Sequence, residues 1–410
     1  MIDPEEASAQ AEDGFRRMWA ELLPVGRHGG SGGYRRHAWT AADAECRAWF
    51  EEQARTRGLA YEVDGNGNQW AWSGDPAAGG AVVTGSHLDS VPDGGAFDGP
   101  LGVVSAFAAL DLLREHDATG SRPLGIVNFG DEEGARFGVA CVGSRLMTGV
   151  LDPGRARALT DDGGVTLATA VERAGRDPSA LGRDEERLSR IAAFVELHVE
   201  QGRNLGDAPI GVASAIWPHG RWRFDFRGQA NHAGTTRMED RRDPMPAFAA
   251  AVLDAQERAR RAGALATFGK VAVEPNGTNA IASRVTAWLD SRAADPGVLD
   301  ALVAEITRAS GAEVTRESYT PVVDFDGPLR DRLAGLLGGA PVLPTGAGHD
   351  AGILASAIPT AMLFVRNPTG VSHSPEEHAE RADCLAGVAA LARVLEDLLA
   401  DPVREGPARR

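Results

Sequence analysis

Short, unbroken apolar runs alternate with helical stretches along much of the chain, and this alternation restricts the fold more than any other feature. Residues 81–85, 124–129, 192–197 and 359–365 are dense in apolar and β-branched side chains and too short for helices. Residues 100–115 are apolar nearly all round, as a helix covered on several sides requires. Strands without polar alternation are buried on both faces, so the pattern predicts an α/β fold around a mostly parallel sheet. In such sheets ligands collect beyond the carboxyl ends of the strands. Amphipathic helices are expected over 5–22 and 40–57. Thr40 is placed to cap the second, with Asp43 in its first turn and Gly58 past its end.

The stretch 211–322 reads differently. It offers a strand at 221–227, a helix over 243–262, strands near 268–274 and 284–291, a helix near 296–309 and a strand at 313–319. That β-α-β-β-α-β order is a ferredoxin-like unit. At 410 residues the chain exceeds one ordinary core. Two domains are therefore expected: a discontinuous sheet domain over 1–210 and 323–410, and an inserted lid over 211–322. No apolar run reaches the length of a membrane span, and the acidic start from Met1 to Glu6 lacks a basic-then-apolar leader, which places the chain in the cytoplasm. A net charge of −16 and a pI near 5.1 speak against a nucleic-acid binder. They also repel anions at long range, so an anionic substrate needs local arginine. Cys46, Cys141 and Cys384 are far apart and form no CxxC pair, so they read as reduced thiols and leave any metal to His and carboxylates. The tail Arg404–Arg410 reads as frayed.

Histidines and carboxylates fall just past the predicted strands. His87 and Asp89 follow the run at 81–85 at a spacing of two, which puts both side chains on one side. A ligating imidazole wants an acceptor on its other nitrogen, so Asp89 suits the orientation of His87. Asp98 lies in a Gly-rich stretch before the helix at 100–115, as a ligand or as a plain helix-start carboxylate. Asp131, Glu132 and Glu133 come directly after the run at 124–129. They form either a solvated acidic turn or a site where a dication relieves their repulsion, engages one Glu and leaves its neighbour as a proton carrier. His198 and His373 follow the runs at 192–197 and 359–365. Three such histidines with carboxylates, each past a strand, point to a metal centre.

Four stretches, GSHLDSVPDGGAFDG, GDEEGARFG, ELHVEQG and GVSHSPEEH, together resemble the M20 metallopeptidase superfamily. The likeness is to its amidase branch, which holds allantoate amidohydrolases, N-carbamoyl-L-amino-acid hydrolases and β-ureidopropionases. It continues through GQANHAGTTRM, NGTNAIASRV, LDSR and GAGHDAG, over nearly the whole chain. The resemblance implies a di-metal catalytic domain with a lid that also joins two copies into a homodimer. It implies that His87 and His198 hold one divalent ion, that Glu133 and His373 hold the other, and that Asp98 bridges them, followed by a cis peptide at Asp98-Gly99. Glu132 is the implied general base. His232, on the lid, is the implied oxyanion donor, supplied across the dimer. Arg292 is implied to bind a substrate carboxylate, with Asn279 as its amide partner and Gln201 at the carbamoyl end. Zn, Mn, Co and Ni all accept such an N/O ligand set. His349, beside Asp350 in a Gly-rich loop, reads as a support behind the ligands or as a turn residue.

The implied activity is hydrolysis of a C–N bond in a small anionic ureido or N-carbamoyl compound. Allantoate leads, with N-carbamoyl-L-amino acids and the β-ureidopropionase substrate as alternatives. His198, where many relatives carry a carboxylate, and Gln201 argue against a dipeptidase or deacylase. The presence of Glu132 and every ligand argues against an inactive metal-binding homologue. Arg221, Arg223, Arg227, Arg237, Arg241 and Arg242 outnumber Asp225, Glu239 and Asp240 over 219–242, as an anionic substrate or a solvated surface would have it. Two places depart from the branch pattern. The 32–40 segment shapes the substrate pocket or is a neutral feature, and Arg366 is a further partner for a carboxylate or ureido group. Trp70 and Trp72 alternate as packing on one strand face.

Overall fold

The computed structural model describes Ile2 and residues 8–400. The tail Arg404–Arg410 and most of the acidic start lie outside the described residues. The chain divides into two compact units: Met1–Ser214 with Asp324–Leu343 and Gly348–Arg410, and Ala215–Val323 with Pro344–Ala347. The strands, in order, begin with β1 (Ala60–Val63), β2 (Gln69–Ser73), β3 (Ala81–His87), β4 (Leu124–Phe129), β5 (Ile191–Val199), β6 (Ile210–Ile216), β7 (His219–Arg227) and β8 (Asn231–His232). They continue as β9 (Leu265–Glu274), β10 (Ala280–Ile281), β11 (Arg284–Arg292), β12 (Glu313–Thr320), β13 (Val323–Asp324), β14 (Val342–Thr345) and β15 (Thr360–Val365).

The first unit is built on a nine-stranded sheet in the order β1-β2-β4-β3-β5-β15-β6-β13, with β14 also on β6. Its centre, β4-β3-β5-β15, is parallel. The flanks are antiparallel, with β1 on β2, β2 on β4 and β6 on β15. Strands β3, β4 and β15 are buried along their full length, which is why their sequences show no polar alternation. The helix Pro100–Glu115 packs on β3, β4 and β5 and also meets the helices Ala9–Leu22 and Arg381–Ala400, so it has no solvent stripe to mark with polar residues. The helix Ala41–Thr56 starts at Thr40, whose hydroxyl accepts the Asp43 N–H, and Gly58 follows it at φ 64°. Trp70 and Trp72 stack at 5.6 Å between ring centroids and are packing residues. All three cysteines are free and buried. Among the described residues no helix is long and apolar enough to cross a membrane.

The 32–40 segment acts as a brace. Arg36, only 2% exposed, donates from Nε to the Val25 carbonyl (2.9 Å) and from Nη2 to the Leu22 carbonyl (2.7 Å). It thus caps the end of helix Ala9–Leu22, adding a second bond to the Leu22 carbonyl, which also accepts the Val25 N–H. Arg35 holds Asp93 through Nε at 2.9 Å, and the Tyr34 N–H bonds the Gly94 carbonyl, so the segment also pins the loop that leads to Asp98. Arg36→Leu is expected to lower the unfolding free energy by about 3 kcal/mol, because two charge-assisted bonds are lost and the Val25 carbonyl loses its donor. Urea denaturation measures this, and a wild-type midpoint with an unchanged slope would refute it.

The second unit has its own four-stranded antiparallel sheet in the order β12-β7-β11-β9. The helices Met245–Ala262 and Pro296–Ser310 follow β7 and β11 in the chain. Phe224, Phe226, Val285, Leu289, Leu299 and Ile306 lie in its core. Strands β8 and β10 pair separately. In the first unit the Phe325 N–H bonds the Ser214 carbonyl at 3.2 Å, so the chain returns beside the point at which it left.

Candidate metal and hydrolytic site

The parallel centre of the sheet delivers its polar residues to one end. His87 is the last residue of β3, and His198 the penultimate residue of β5. Glu132 and Glu133 follow β4, Asp98 precedes the helix Pro100–Glu115, and His373 follows β15. Two ligand-like sets share Asp98: His87 with His198, and Glu133 with His373, each set's ligand atoms lying within 4.8 Å of one another. The two oxygens of Asp98 divide between them. Oδ1 lies 3.8 Å from His87 Nε2 and 3.2 Å from His198 Nε2, while Oδ2 lies 3.3 Å from His373 Nε2. His373 Nε2 is also 3.7 Å from Glu133 Oε2.

The second nitrogens are committed elsewhere. His87 Nδ1 faces the Asp89 carbonyl at 3.2 Å and Asp89 Oδ1 at 3.5 Å. His198 Nδ1 bonds the Val199 carbonyl at 2.9 Å, whereas its buried Nε2 faces only Asp98 Oδ1, at 3.2 Å and out of line for a regular hydrogen bond. A buried ring nitrogen whose one neighbour is a carboxylate shared by two sets fits a divalent cation between them. A third grouping, Glu196 with His198 and His349, also lies within ligand distance. Both Glu196 oxygens are already taken, by the Ser86 hydroxyl (2.7 Å) and the Ala351 N–H (2.9 Å), so Glu196 anchors the strand end instead. The His349 ring lies 4.4 Å from the His198 ring between centroids, tilted by 58°. Burial, then the neighbouring His198, holds it well below the usual histidine pKa, so it is a neutral support.

Asp89 does more than face His87. Its carboxylate accepts the backbone N–H groups of Glu132 (3.1 Å) and Glu133 (3.0 Å), which fixes the acidic turn against the end of β3. Gln201 Nε2 bonds Asp98 Oδ2 (2.9 Å) and the Ser372 hydroxyl (3.1 Å), so it sits on the shared carboxylate. The peptide after Asp98 is trans, contrary to the resemblance; the cis bond among the described residues is Glu274-Pro275. The chain turns instead at Gly99, with φ 85°, where a Cβ would lie 2.4 Å from His87 Cε1. Only glycine lets the backbone pass the imidazole this closely.

Electrostatics follow from the crowding. Burial and the neighbouring Asp98 push Glu133 up to about 7. The hydrogen bond to Asp98 lifts His373 to about 9. Burial opposes ionisation of Asp98, but its bonds to His198 and His373 hold it well below the usual carboxylate range. Ligation requires Glu133 and His373 to be unprotonated. Without metal, His373 therefore carries a proton at neutral pH. Cation uptake is expected to release protons near neutrality and to tighten as pH rises towards about 9. Calorimetry with Mn or Zn in buffers of different ionisation enthalpy reads this directly, and an affinity independent of pH would contradict it.

The remaining expected residues lie on the second unit. His232, exposed in β8, accepts the Gly234 N–H on Nδ1 at 3.0 Å, so a neutral ring carries its proton on Nε2. Asn279 is exposed, and its carbonyl takes the Ala233 N–H. Arg292 is already engaged: Nε and Nη2 hold Asp290 at 2.8 and 3.2 Å, and Nη1 donates to the Gly346 carbonyl. Half of the arginine excess is likewise spent locally, Arg221 on Asp290, Arg223 on Asp225 and Arg227 on Glu313. Arg366 gives its Nε to Asp383 at 2.8 Å, tying the end of β15 to the helix Arg381–Ala400. Sequence reasoning missed Asp89 as the clamp of the acidic turn, and also Glu196. The spacing of two between Glu196 and His198 was the signal for the latter.

A cluster of histidines and carboxylates able to hold a metal at the strand ends, with a buried glutamate beside it, fits a metal-dependent hydrolase. A sequence profile for "Peptidase family M20/M25/M40" matches residues 83–397, and the chain belongs to that family. It is 38% identical to the N-carbamoyl-L-amino acid amidohydrolase of Geobacillus stearothermophilus, over 92% of this chain and 96% of that one. It is 33% identical to the allantoate amidohydrolase of Bacillus subtilis, over 90% and 93%. The crystal structure of a hydantoinase/carbamoylase family amidase from Burkholderia vietnamiensis superposes with a TM-score of 0.83 at 31% identity, over 95% of this chain and 98% of that one. The chain is thus a metal-dependent amidohydrolase acting on carbon–nitrogen bonds.

Proposed function

We propose that this chain is a two-ion amidohydrolase cleaving a C–N bond in the ureido or carbamoyl group of a small carboxylate, with N-carbamoyl-L-amino acids as the leading substrate class. The observation that carries the reading is Asp98, whose two oxygens face separate histidine sets. His87, Asp98 and His198 would hold one ion; Asp98, Glu133 and His373 would hold the other. Bound divalent ions supply polarisation of the scissile carbonyl and a more acidic water.

Glu132 handles the proton. Its carboxylate is buried with Oε2 3.8 Å from His87 Nε2, and burial holds it well above the usual glutamate pKa. Such a group accepts a proton from the attacking water and gives it up again. The water oxygen adds to the carbonyl carbon, the C–N bond breaks, and Glu132 passes the proton to the leaving nitrogen. Gln201 orients the carbamoyl end through its amide. The second unit is read as a lid that joins two copies, with His232 donating from Nε2 to the developing oxyanion. Arg292 meets the substrate carboxylate beside Asn279. Three of its five N–H groups are used within the unit, which leaves two for a bidentate partner.

The 38% identity to an N-carbamoyl-L-amino acid amidohydrolase favours that substrate class. Allantoate is the second reading, supported by the 33% relative. Ammonia release by Mn- or Zn-loaded protein tests both, using N-carbamoyl-L-amino acids, allantoate and N-carbamoyl-β-alanine, with a dipeptide followed as new amine. Turnover of an N-carbamoyl-L-amino acid supports the lead. Turnover of allantoate alone selects the second reading, and cleavage of the dipeptide alone overturns both.

A further inference from the structure

Glu132 is fixed at its backbone on both sides. Its N–H is held by Asp89 Oδ1 (3.1 Å), and its carbonyl takes the Cys141 N–H (2.6 Å). Its side chain has a different problem. A glutamate has three rotatable bonds, and one acting at a reaction centre must be held in a single pose. The hydrogen bond recorded to its carboxylate comes from a thiol: Cys141 Sγ lies 3.2 Å from Oε1, and both residues are buried. The other oxygen, Oε2, is the one nearer His87 Nε2.

Cys141 is itself held in an unusual pose. It precedes the helix Val142–Thr148 with φ 56° and ψ 39°, a left-handed conformation that a residue with a Cβ seldom adopts. Three bonds staple this corner to the acidic turn: Cys141 N–H to Glu132 O, Val142 N–H to Asp131 O, and Gly143 N–H to Gly130 O. The Arg145 N–H also takes the Cys141 carbonyl, which begins the helix. The corner thereby aims Sγ at Oε1.

We propose that Cys141 is a positioning residue for Glu132. Its thiol orients one carboxylate oxygen, so the other faces the ligand cluster. A thiol is a weak donor, so it directs the carboxylate without saturating it as a charged donor would. The inference rests on reading Glu132 as the base.

The test compares Cys141→Ala, Cys141→Ser and Glu132→Gln in metal-loaded protein, reading kcat, KM, bound metal per chain and Tm. Cys141→Ala is expected to lower kcat about tenfold or more, with KM, metal content and Tm unchanged, because a small displacement of a reacting group is costly. Cys141→Ser, whose hydroxyl can donate to the same oxygen, is expected to restore most of kcat. Wild-type kcat in both cysteine variants, with Glu132→Gln inactive, would overturn the inference and leave the base reading standing. A fall in kcat accompanied by lost metal or lower Tm would also overturn it, since the role is then structural. An active Glu132→Gln would remove the base reading and the inference with it.

Discussion

Glu132→Gln is expected to lower kcat by about a thousandfold while leaving KM, metal content and Tm close to wild type. The expectation follows from what amidation removes. Glutamine keeps the size of the side chain and can still accept the Cys141 thiol through its carbonyl oxygen. It cannot take a proton from water. General acid–base catalysis contributes about a hundred- to ten-thousandfold, and Glu132 is asked to act on both the water and the leaving nitrogen. Substitution is not expected to unfold the turn, because its two anchors are backbone groups held by Asp89 and Cys141. Steady-state kinetics with metal analysis decide the matter. Residual activity within tenfold of wild type would show that another group moves the proton. A loss explained by lost metal would make Glu132 a ligand instead.

Asp98→Ala is expected to be more severe, eliminating turnover and bound metal together. Each oxygen of Asp98 faces a different ligand set, so its removal disables both. Loss of the ions' electrostatic contribution alone is worth about 4 kcal/mol or more, roughly a thousandfold. His373→Ala is the informative comparison, because it touches one set and spares the His87–His198 pair. Metal stoichiometry on purified protein separates the two: Asp98→Ala is expected to retain none and His373→Ala to retain part. Full metal in Asp98→Ala would overturn the shared-carboxylate arrangement.

The buried strands were legible because both of their faces are covered. The apolar runs at 124–129 and 359–365 match β4 and β15 closely for that reason. Trp70 and Trp72 marked β2 as a strand, but its hairpin partner β1 escaped notice because none of its four residues is fully buried. Ligand candidates were legible because each sits immediately past a strand. Their supports were legible only in part: the spacing of two gave Asp89 as the partner of His87, but its clamp on the acidic turn, and the bonds of Cys141 and Glu196, join residues distant in sequence. The same limit explains Arg366, whose partner Asp383 becomes adjacent only when the last helix folds back. The peptide after Asp98 is trans where the resemblance implied cis, and the chain turns at Gly99 with a positive φ.

The bond between the Phe325 N–H and the Ser214 carbonyl has a consequence for how the chain tolerates change. Seen from the first unit, Ala215–Val323 is a loop whose mouth is already shut by neighbouring backbone. Closing a flexible loop costs entropy that grows only with the logarithm of its length, and here the sheet fixes the two ends. Lengthening, trimming or exchanging the insert therefore alters little of what holds the metal-bearing sheet together. A linker of a few residues from Ser214 to Asp324 has only a hydrogen bond's span to cross.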